Sequence, residues 1–302
     1  MGKRAIVFSG QGAQRAGMGK ELYENFSSAE KLFELAERIR PGTIRQCFEG
    51  SAEELSKTVN TQPCLFAVDL AAGYTLLEAG FKFDGAAGFS LGELAAAVFC
   101  GMLGFEEGFR LVIRRAELMQ EANEKFSGGM AAVLKLSAVQ VAEICQEVGD
   151  VFPVNFNCEG QTVVAGLSHK VDEVVALAAQ RGGRAIRLPV GGAFHSPFME
   201  EAASRFYDEA KKLTFKTPSI PLYSNVTARP YEEGAAEQLS RQIKSPVLWQ
   251  KSIENMISDG FDTFVEAGFG ETLVGLIKRI SKDVKAFPAT NRAEIDILRG
   301  AL

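Results

Sequence analysis

Short apolar runs that alternate with helix-period segments constrain the fold of this chain more than any other feature. An apolar run at 4–8 precedes a helical pattern over 20–38, and a run at 86–89 leads directly into a helical pattern over 93–99. Buried strands that alternate with helices are typical of a parallel sheet covered by helices. The chain is therefore predicted to be an α/β protein.

The pattern changes between residues 127 and 190. The next elements are four predicted strands and two predicted helices, in the order strand, helix, strand, strand, helix, strand. The strands are 131–136, 152–156, 162–165 and 184–188, and the helices are 137–148, capped by Ser137, and a segment from Ser168 onward. This order is the split βαβ, ferredoxin-like one. A small ferredoxin-like domain is thus predicted as an insertion.

The α/β pattern resumes after residue 190. The predicted helices are 197–213, 249–259 and 271–280, and the predicted strands are 220–223 and 262–266. We therefore expect a large α/β domain, residues 1–126 and 191–302, that carries the inserted domain at 127–190. Clefts between two such parts are common places for ligands.

Composition excludes several classes of protein. Lys and Arg total 33 against 38 Asp and Glu, without long runs of one sign, so no nucleic-acid footprint is present. Five cysteines lack CxxC spacing, which favours reduced thiols in a cytoplasmic protein and no metal site. The apolar run among the first residues is shorter than a signal peptide needs, so we expect none there, and no stretch has the length of a membrane span.

The segment Gly88-Phe89-Ser90-Leu91-Gly92 is a GxSxG motif between a predicted strand and a predicted helix. In a nucleophile elbow, glycines permit a tight turn that exposes the serine hydroxyl at a helix N-terminus. Backbone amides at that position can stabilise an oxyanion. A plain turn is the alternative interpretation, but the flanking strand and helix favour Ser90 as a nucleophile.

A serine nucleophile needs a base, and His169 and His195 are the two histidines. His169 lies among polar residues at a predicted helix start, which is typical of a solvated side chain. His195 lies between Phe194 and Ser196, after Gly191 and Gly192. A buried structural histidine is the alternative, but pairing with an elbow serine favours His195 as the base.

A second glycine loop, Ser9-Gly10-Gln11-Gly12, follows the first predicted strand. The carboxyl ends of parallel strands commonly hold ligands, so the Gln11 amide is a candidate oxyanion donor. A simple strand-to-helix turn is the other interpretation.

Arg114 and Arg115 lie next to each other on a predicted helix over 105–121. Helical spacing puts Arg114 on a polar face and Arg115 beside apolar residues such as Leu111 and Leu118. A buried arginine needs a partner because an unpaired buried charge is costly. Either an internal carboxylate or a substrate carboxylate fits this requirement.

These motifs, in this order, resemble the malonyl-CoA:acyl carrier protein transacylases of fatty-acid synthesis and the acyltransferase domains of polyketide synthases. The resemblance covers essentially the whole chain. It extends to the connecting motifs Thr61-Gln62-Pro63, Met119-Gln120-Glu121-Ala122, Pro153-Val154-Asn155-Phe156-Asn157, Ser224-Asn225-Val226 and Pro246-Val247-Leu248-Trp249. It implies an α/β-hydrolase-like domain with a ferredoxin-like insertion, in agreement with the predicted element order.

The resemblance also implies a role for each matching residue. Ser90 is acylated, His195 accepts its proton, the amides of Gln11 and Leu91 hold the oxyanion, and the main-chain carbonyl of Gln242 orients His195. Arg115 holds the malonyl carboxylate. Gln62, Asn155 and Asn157 match pocket residues, and Phe194 matches an aromatic that excludes an α-methyl branch.

The implied activity is transfer of malonyl from malonyl-CoA to the phosphopantetheine thiol of acyl carrier protein, with no cofactor. Two departures from the family pattern occur: Phe89 replaces the usual histidine before the serine, and the first loop begins with Ser9 instead of proline.

Three alternative functions remain: a hydrolase that uses the same serine and histidine, a catalytically inactive acyl-binding subunit, and an acyltransferase that serves a polyketide synthase. A basic rim for the acidic carrier is expected among Arg181, Arg184, Arg187, Lys278 and Arg279.

Overall fold

The structure, a computed structural model, describes residues 2–301. Its strands are β1 (Lys3–Phe8), β2 (Gly85–Gly88), β3 (Gly128–Leu134), β4 (Val151–Cys158), β5 (Gln161–Leu167), β6 (Arg184–Arg187), β7 (Leu222–Tyr223), β8 (Phe261–Ala267) and β9 (Lys285–Ala289). Its first helices are α1 (Lys20–Asn25), α2 (Ser27–Ile39), α3 (Thr43–Glu49), α4 (Ala52–Ser56), α5 (Thr58–Glu78), α6 (Leu91–Phe99) and α7 (Phe105–Lys125). The remaining helices are α8 (Ala138–Val148), α9 (Ser168–Gln180), α10 (Glu200–Ala210), α11 (Ala235–Lys244), α12 (Trp249–Ser258), α13 (Thr272–Ile280) and α14 (Arg292–Ala301).

The larger sheet is parallel, with the strand order β7-β2-β1-β8-β9. Along β1, Ile6 and Phe8 pack in one hydrophobic core, and Ala5 and Val7 pack in the core on the opposite face. Burial on both faces explains why β1 is a continuous apolar run rather than an alternating one. The predicted parallel α/β architecture is confirmed.

The smaller sheet is antiparallel, with the order β4-β5-β3-β6. One face of β3, including Ala131 and Val133, packs on α8 and α9, and the other, including Met130 and Ala132, joins the core of the larger part. This arrangement is the ferredoxin-like fold. We propose the predicted division, 1–126 with 191–302 and 127–190, because this sheet and both its helices fall inside 127–190.

Edge strand β4 also bonds to the larger part of the chain. The Phe156 amide donates to the Val247 carbonyl at 3.0 Å, and the Val247 amide donates to the Val154 carbonyl at 2.8 Å. These bonds fix the smaller sheet beside the carboxyl ends of β1 and β2. The space between the two sheets is therefore a defined cleft.

Two helical predictions need correction, and five helices were not predicted: α3, α4, α5, α11 and α14. The predicted helix over 20–38 is two helices, because Phe26 has the extended dihedrals φ −133° and ψ 128° between α1 and α2. The predicted helix over 197–213 begins as a 3₁₀ turn at Pro197–Met199 before α10 and ends at Ala210. Helix α5 was not predicted, because most of its residues are buried and it lacks an apolar stripe.

Strand β9 was also not predicted, since Pro288 argues against a strand. Proline is tolerated there because β9 is at the sheet edge.

Across residues 2–301, each helix is too short or too polar to traverse a bilayer. All five cysteines are buried and free, as predicted.

Candidate active site

Ser90 occupies the sharp turn between β2 and α6, with φ 53° and ψ −105°. A Cβ on Gly88 would lie 2.0 Å from the Gly92 backbone, and one on Gly92 would lie 2.3 Å from the Phe8 carbonyl oxygen. Neither position can carry a side chain without moving the backbone. The two glycines of the motif therefore serve the nucleophile-elbow geometry that the sequence predicted.

His195 is the histidine that meets this serine. Its Nε2 lies 2.7 Å from Ser90 Oγ, and its Nδ1 lies 2.8 Å from the Gln242 main-chain oxygen. A carbonyl oxygen only accepts hydrogen bonds, so Nδ1 carries the proton and Nε2 presents its lone pair to the serine hydroxyl. This tautomer is the one a general base requires. His169 is exposed, as predicted.

The environment keeps His195 neutral. Burial, together with the nearby positive charge of Arg115, lowers its pKa from 6.5 to about 4. The carbonyl of Gln242 acts in the opposite direction by favouring the charged ring. A neutral imidazole can accept the Ser90 proton at any pH well above 4.

The Asn225 side chain hydrogen-bonds to the backbone of the turn at Ser90. Its Oδ1 accepts the Ser90 amide proton at 2.7 Å, and its Nδ2 donates to the Gly88 carbonyl at 2.6 Å. The side chain thus bonds the strained backbone on both sides of Phe89. Sequence reasoning noted Asn225 only as part of a family motif and missed this role.

Arg115 is completely buried, whereas Arg114 pairs at the surface with Glu117 at 2.8 Å. The Arg115 guanidinium donates to Gln62 Oε1 at 2.8 Å, to Gln242 Oε1 at 2.9 Å and to Ser90 Oγ at 3.3 Å. Its Nε has no hydrogen-bond partner within residues 2–301. Burial lowers the pKa of Arg115 to about 10, so it stays charged at neutral pH.

The groups that accept hydrogen bonds from Arg115 are uncharged. Its hydrogen bonds go to two neutral amides and a hydroxyl, and no carboxylate of the described chain accepts one from it. A buried guanidinium with an unused N–H beside Ser90 is a suitable anchor for an incoming carboxylate.

The predicted oxyanion donors border the same space. Gln11 and Leu91 line the cavity that contains Ser90 and His195. Leu91 is the first residue of α6, where backbone N–H groups have no helical acceptor. Of the hydrogen bonds found in residues 2–301, none uses the backbone N–H of Gln11 or Leu91.

Two adjoining cavities lie in the cleft between the sheets. The inner one, of about 70 Å³, contains Ser90 and has a largely apolar wall formed by Phe89, Met119, Met130, Leu188, Val190 and Phe194. The outer one, of about 230 Å³, lies between Asn157 of β4 and Leu276 of α13. Phe89, Gln11 and Leu188 border both cavities, so a long substrate could enter through the outer and react in the inner.

The structure brings most of the predicted site residues together. The inner cavity is bordered by Ser90, His195, Gln11, Leu91, Arg115, Gln62 and Phe194, and the outer by Asn157. Gln242 lies behind His195, and Asn155 lines neither cavity. The Oδ1 atoms of Asn155 and Asn157 are buried without a hydrogen-bond partner within residues 2–301. Phe89 packs edge-on against Trp249, with ring centroids 5.5 Å apart.

Comparison with known proteins identifies the family of this chain. The model of the acyl transferase domain matches residues 5–294. This chain belongs to the acyl transferase domain family. A malonyl CoA-acyl carrier protein transacylase of Bacillus subtilis strain 168 is 37% identical over 305 residues, covering 98% of this chain and 96% of that protein.

Two solved structures superpose closely on this acyltransferase. Malonyl-CoA:acyl carrier protein transacylase from Xanthomonas oryzae has a TM-score of 0.96 and 35% identity, covering 100% of this chain and 98% of its own. A malonyl-transacylase in complex with a type II PKS acyl-carrier protein has a TM-score of 0.96 and 32% identity, covering 99% of this chain and 100% of its own. These likenesses extend the resemblance found in the sequence to the whole fold.

Proposed function

We propose that this acyltransferase moves a malonyl group from malonyl-CoA to the phosphopantetheine thiol of acyl carrier protein, and so supplies the extender unit for fatty-acid synthesis. The observation that carries the proposal is the Arg115 guanidinium, buried 3.3 Å from the Oγ of a serine that is paired with a neutral histidine. A serine and histidine alone serve any ester or thioester. The buried cation adds a reason to choose an acyl group that ends in a carboxylate.

In the first half-reaction, His195 Nε2 takes the Ser90 proton as Oγ attacks the thioester carbonyl carbon. The amides of Gln11 and Leu91 donate to the developing oxyanion. When the tetrahedral intermediate collapses, the carbon–sulfur bond breaks and the proton on His195 passes to the coenzyme A thiolate. The product of this step is malonyl-Ser90.

In the second half-reaction, the carrier's phosphopantetheine arm occupies the outer cavity and its thiol faces the acyl-serine. His195 accepts the thiol proton, the thiolate attacks the acyl carbon, and the serine leaves with the proton from His195. Every proton transfer is assigned to a side chain of this protein, so the proposed chemistry calls for no cofactor and no metal.

Two residues set the acyl selectivity in this proposal. Arg115 binds the malonyl carboxylate, and the buried Gln62, which accepts a hydrogen bond from the guanidinium at 2.8 Å, supports it. Phe194 borders the cavity beside Ser90, and in this proposal its ring excludes an α-methyl branch. Without the carboxylate, the guanidinium loses a charged partner, a cost of roughly 1.5–3 kcal/mol.

Intact-protein mass spectrometry after brief incubation with malonyl-CoA or acetyl-CoA tests the proposal. Wild type should gain a malonyl adduct that phosphopantetheinylated carrier discharges, and Ser90→Ala should gain none. Arg115→Ala should load malonyl no better than acetyl. An adduct discharged by water as fast as by carrier would instead identify a hydrolase, and equal loading of both thioesters by wild type would remove the role of Arg115.

A polyketide carrier is the second candidate acceptor, since one close structural relative is bound to a type II PKS acyl-carrier protein. The two carriers share the phosphopantetheine arm and differ in the protein surface that docks. Comparing kcat/KM for carriers of the two pathways, at fixed malonyl-CoA, separates the candidates. We favour the fatty-acid carrier and a cytoplasmic location.

The carrier should dock on the basic rim nearest the outer cavity. Arg279 donates to Gln161, which lines that cavity, and Lys278 is exposed beside it on α13. Arg181 and Arg187 already pair with Glu147 and Asp172. We therefore expect Lys278→Glu and Arg279→Glu to raise the KM for the carrier and leave malonyl loading unchanged. Arg181→Glu is the matched control.

A further inference from the structure

Glu93 is a buried acid whose place in the proposed reaction is unassigned. It lies three residues after Ser90 in the first turn of α6 and is fully inaccessible to solvent. Its Oε1 accepts hydrogen bonds from the Tyr231 hydroxyl at 2.6 Å and from the Asn225 backbone amide at 3.1 Å. Its Oε2 accepts one from Gln242 Nε2 at 2.7 Å.

The Gln242 side chain connects this acid to the substrate side of the site. Its Nε2 also donates to the Ser90 carbonyl at 2.6 Å, and its Oε1 accepts from the Arg115 guanidinium at 2.9 Å. A guanidinium can only donate and a carboxylate can only accept. The amide of Gln242 therefore has one orientation that satisfies both neighbours, with its oxygen toward Arg115.

We propose that Glu93 is a positioning residue for acyl selectivity: its carboxylate fixes the Gln242 amide, and that amide holds the Arg115 guanidinium beside Ser90. This inference rests on the proposed function, in which Arg115 binds the substrate carboxylate. Glu93 also interacts with Arg115 through its negative charge, and this interaction raises the pKa of the arginine. The acid thus supplies both orientation and compensating charge without blocking the guanidinium.

A neutral amide cannot replace this carboxylate. In Glu93→Gln, one end of the new side chain is an oxygen and the other is an NH₂ group. With the NH₂ group at the Oε2 position, it faces the NH₂ group of Gln242. At the Oε1 position, it faces the Asn225 backbone N–H. Either arrangement sets a donor against a donor, and a flip of Gln242 moves that conflict onto Arg115.

The test compares single-turnover loading of malonyl and acetyl from their coenzyme A thioesters at pH 8.5, where Glu93, with a pKa of about 7, is a carboxylate. Glu93→Gln should lower the malonyl-to-acetyl rate ratio by about tenfold or more, the loss expected for one hydrogen bond to a charged group. Labelling of Ser90 by an uncharged phosphonofluoridate should change by less than about threefold, because that reagent carries no carboxylate for Arg115. A ratio equal to that of wild type, or an equal loss with all three reagents, would overturn the proposal.

A milder variant keeps the proposal testable if Glu93→Gln does not fold. Two titratable or charged groups act on Glu93: the Tyr231 hydroxyl contacts it directly, and the Arg115 guanidinium, which lies beyond the Gln242 amide, acts through its charge. Burial raises the pKa of Glu93 to about 7, and the Tyr231 hydroxyl favours its charged form. Tyr231→Phe should therefore raise that pKa further. The malonyl-to-acetyl ratio of the variant should equal that of wild type at pH 8.5 and be lower than that of wild type at pH 6.5. If variant and wild type differ by the same amount at both pH values, the role of Glu93 is contradicted.

Arg115→Ala separates this inference from the proposed function. If Arg115→Ala retains the malonyl preference, the function proposal fails whatever Glu93 does. If Arg115→Ala removes the preference and both Glu93→Gln and Tyr231→Phe retain it, only the role of Glu93 fails.

Discussion

The buried position of His195 predicts an unusual pH dependence for the reactivity of Ser90. Only the neutral imidazole can take the serine proton, so reactivity follows its neutral fraction. Burial and the charge of Arg115 lower the His195 pKa from 6.5 to about 4. At pH 5, a group with a pKa of about 4 is about 90% neutral, whereas one with a pKa of about 6.5 is only about 3% neutral.

The ratio of these fractions is about thirtyfold, which is large enough to measure. The assay is the rate of Ser90 labelling by the uncharged phosphonofluoridate from pH 4.5 to 8, with circular dichroism at each pH to verify folding. Wild type should keep most of its pH 8 rate at pH 5. An acid limb centred near 6.5 in the folded protein would refute the reasoning.

A second variant tests the cause of the shift. Arg115→Met removes the positive charge and keeps an apolar side chain of similar length at a buried position. The pKa of His195 should then rise, because one of the two causes that lower it is gone. The acid limb should move to higher pH than in wild type. An unmoved limb would mean that the Arg115 charge does not act on His195.

Three further outcomes follow from the packing. Gly92→Ala should destabilise the fold by roughly 3 kcal/mol or more, because the added Cβ would lie 2.3 Å from the Phe8 carbonyl oxygen. Gly275→Ala, in α13, should stabilise the fold by roughly 0.5–1 kcal/mol, because no atom lies within 4 Å of the added Cβ. Thermal unfolding of the two variants and wild type measures both effects. Phe194→Ala should raise loading of methylmalonyl relative to malonyl, measured by mass spectrometry, and no change would remove its steric role. Asn225→Asp should slow malonyl and acetyl loading equally, by about tenfold, since the new oxygen faces the Gly88 carbonyl; a malonyl-specific loss would contradict this.

Local sequence patterns predicted the fold class and the strand-to-helix turn at Ser90 well. The ferredoxin-like order was visible because four short apolar runs and two helical patterns follow one another within 127–190. Ser137 was recognised as a helix cap, and its hydroxyl accepts from the Gln140 amide at 3.2 Å. By contrast, α5 and β9 were missed, since one is buried all round and the other contains a proline at a sheet edge.

The supporting network of the site was beyond sequence reasoning. Glu93 was noted only as a helix-forming residue, and Tyr231 was not singled out, yet the two form a buried pair at 2.6 Å. Gln242 entered through family resemblance for its main-chain carbonyl alone. Its side chain, which contacts Glu93, Arg115 and the Ser90 carbonyl, became visible only in the structure.

The sequence by itself determined the elbow, because the strand, the two glycines, Ser90 and the helix lie within a few residues and follow local backbone rules. It also determined that Arg115 would be buried, because helical periodicity assigns faces. Only the tertiary structure decided which groups meet. Ser90 and His195 are 105 residues apart, and Arg115 and Gln242 are 127 apart. Contacts at such separations depend on how the two sheets and their helices pack, and a tilt of one element moves a side chain by more than a hydrogen bond tolerates.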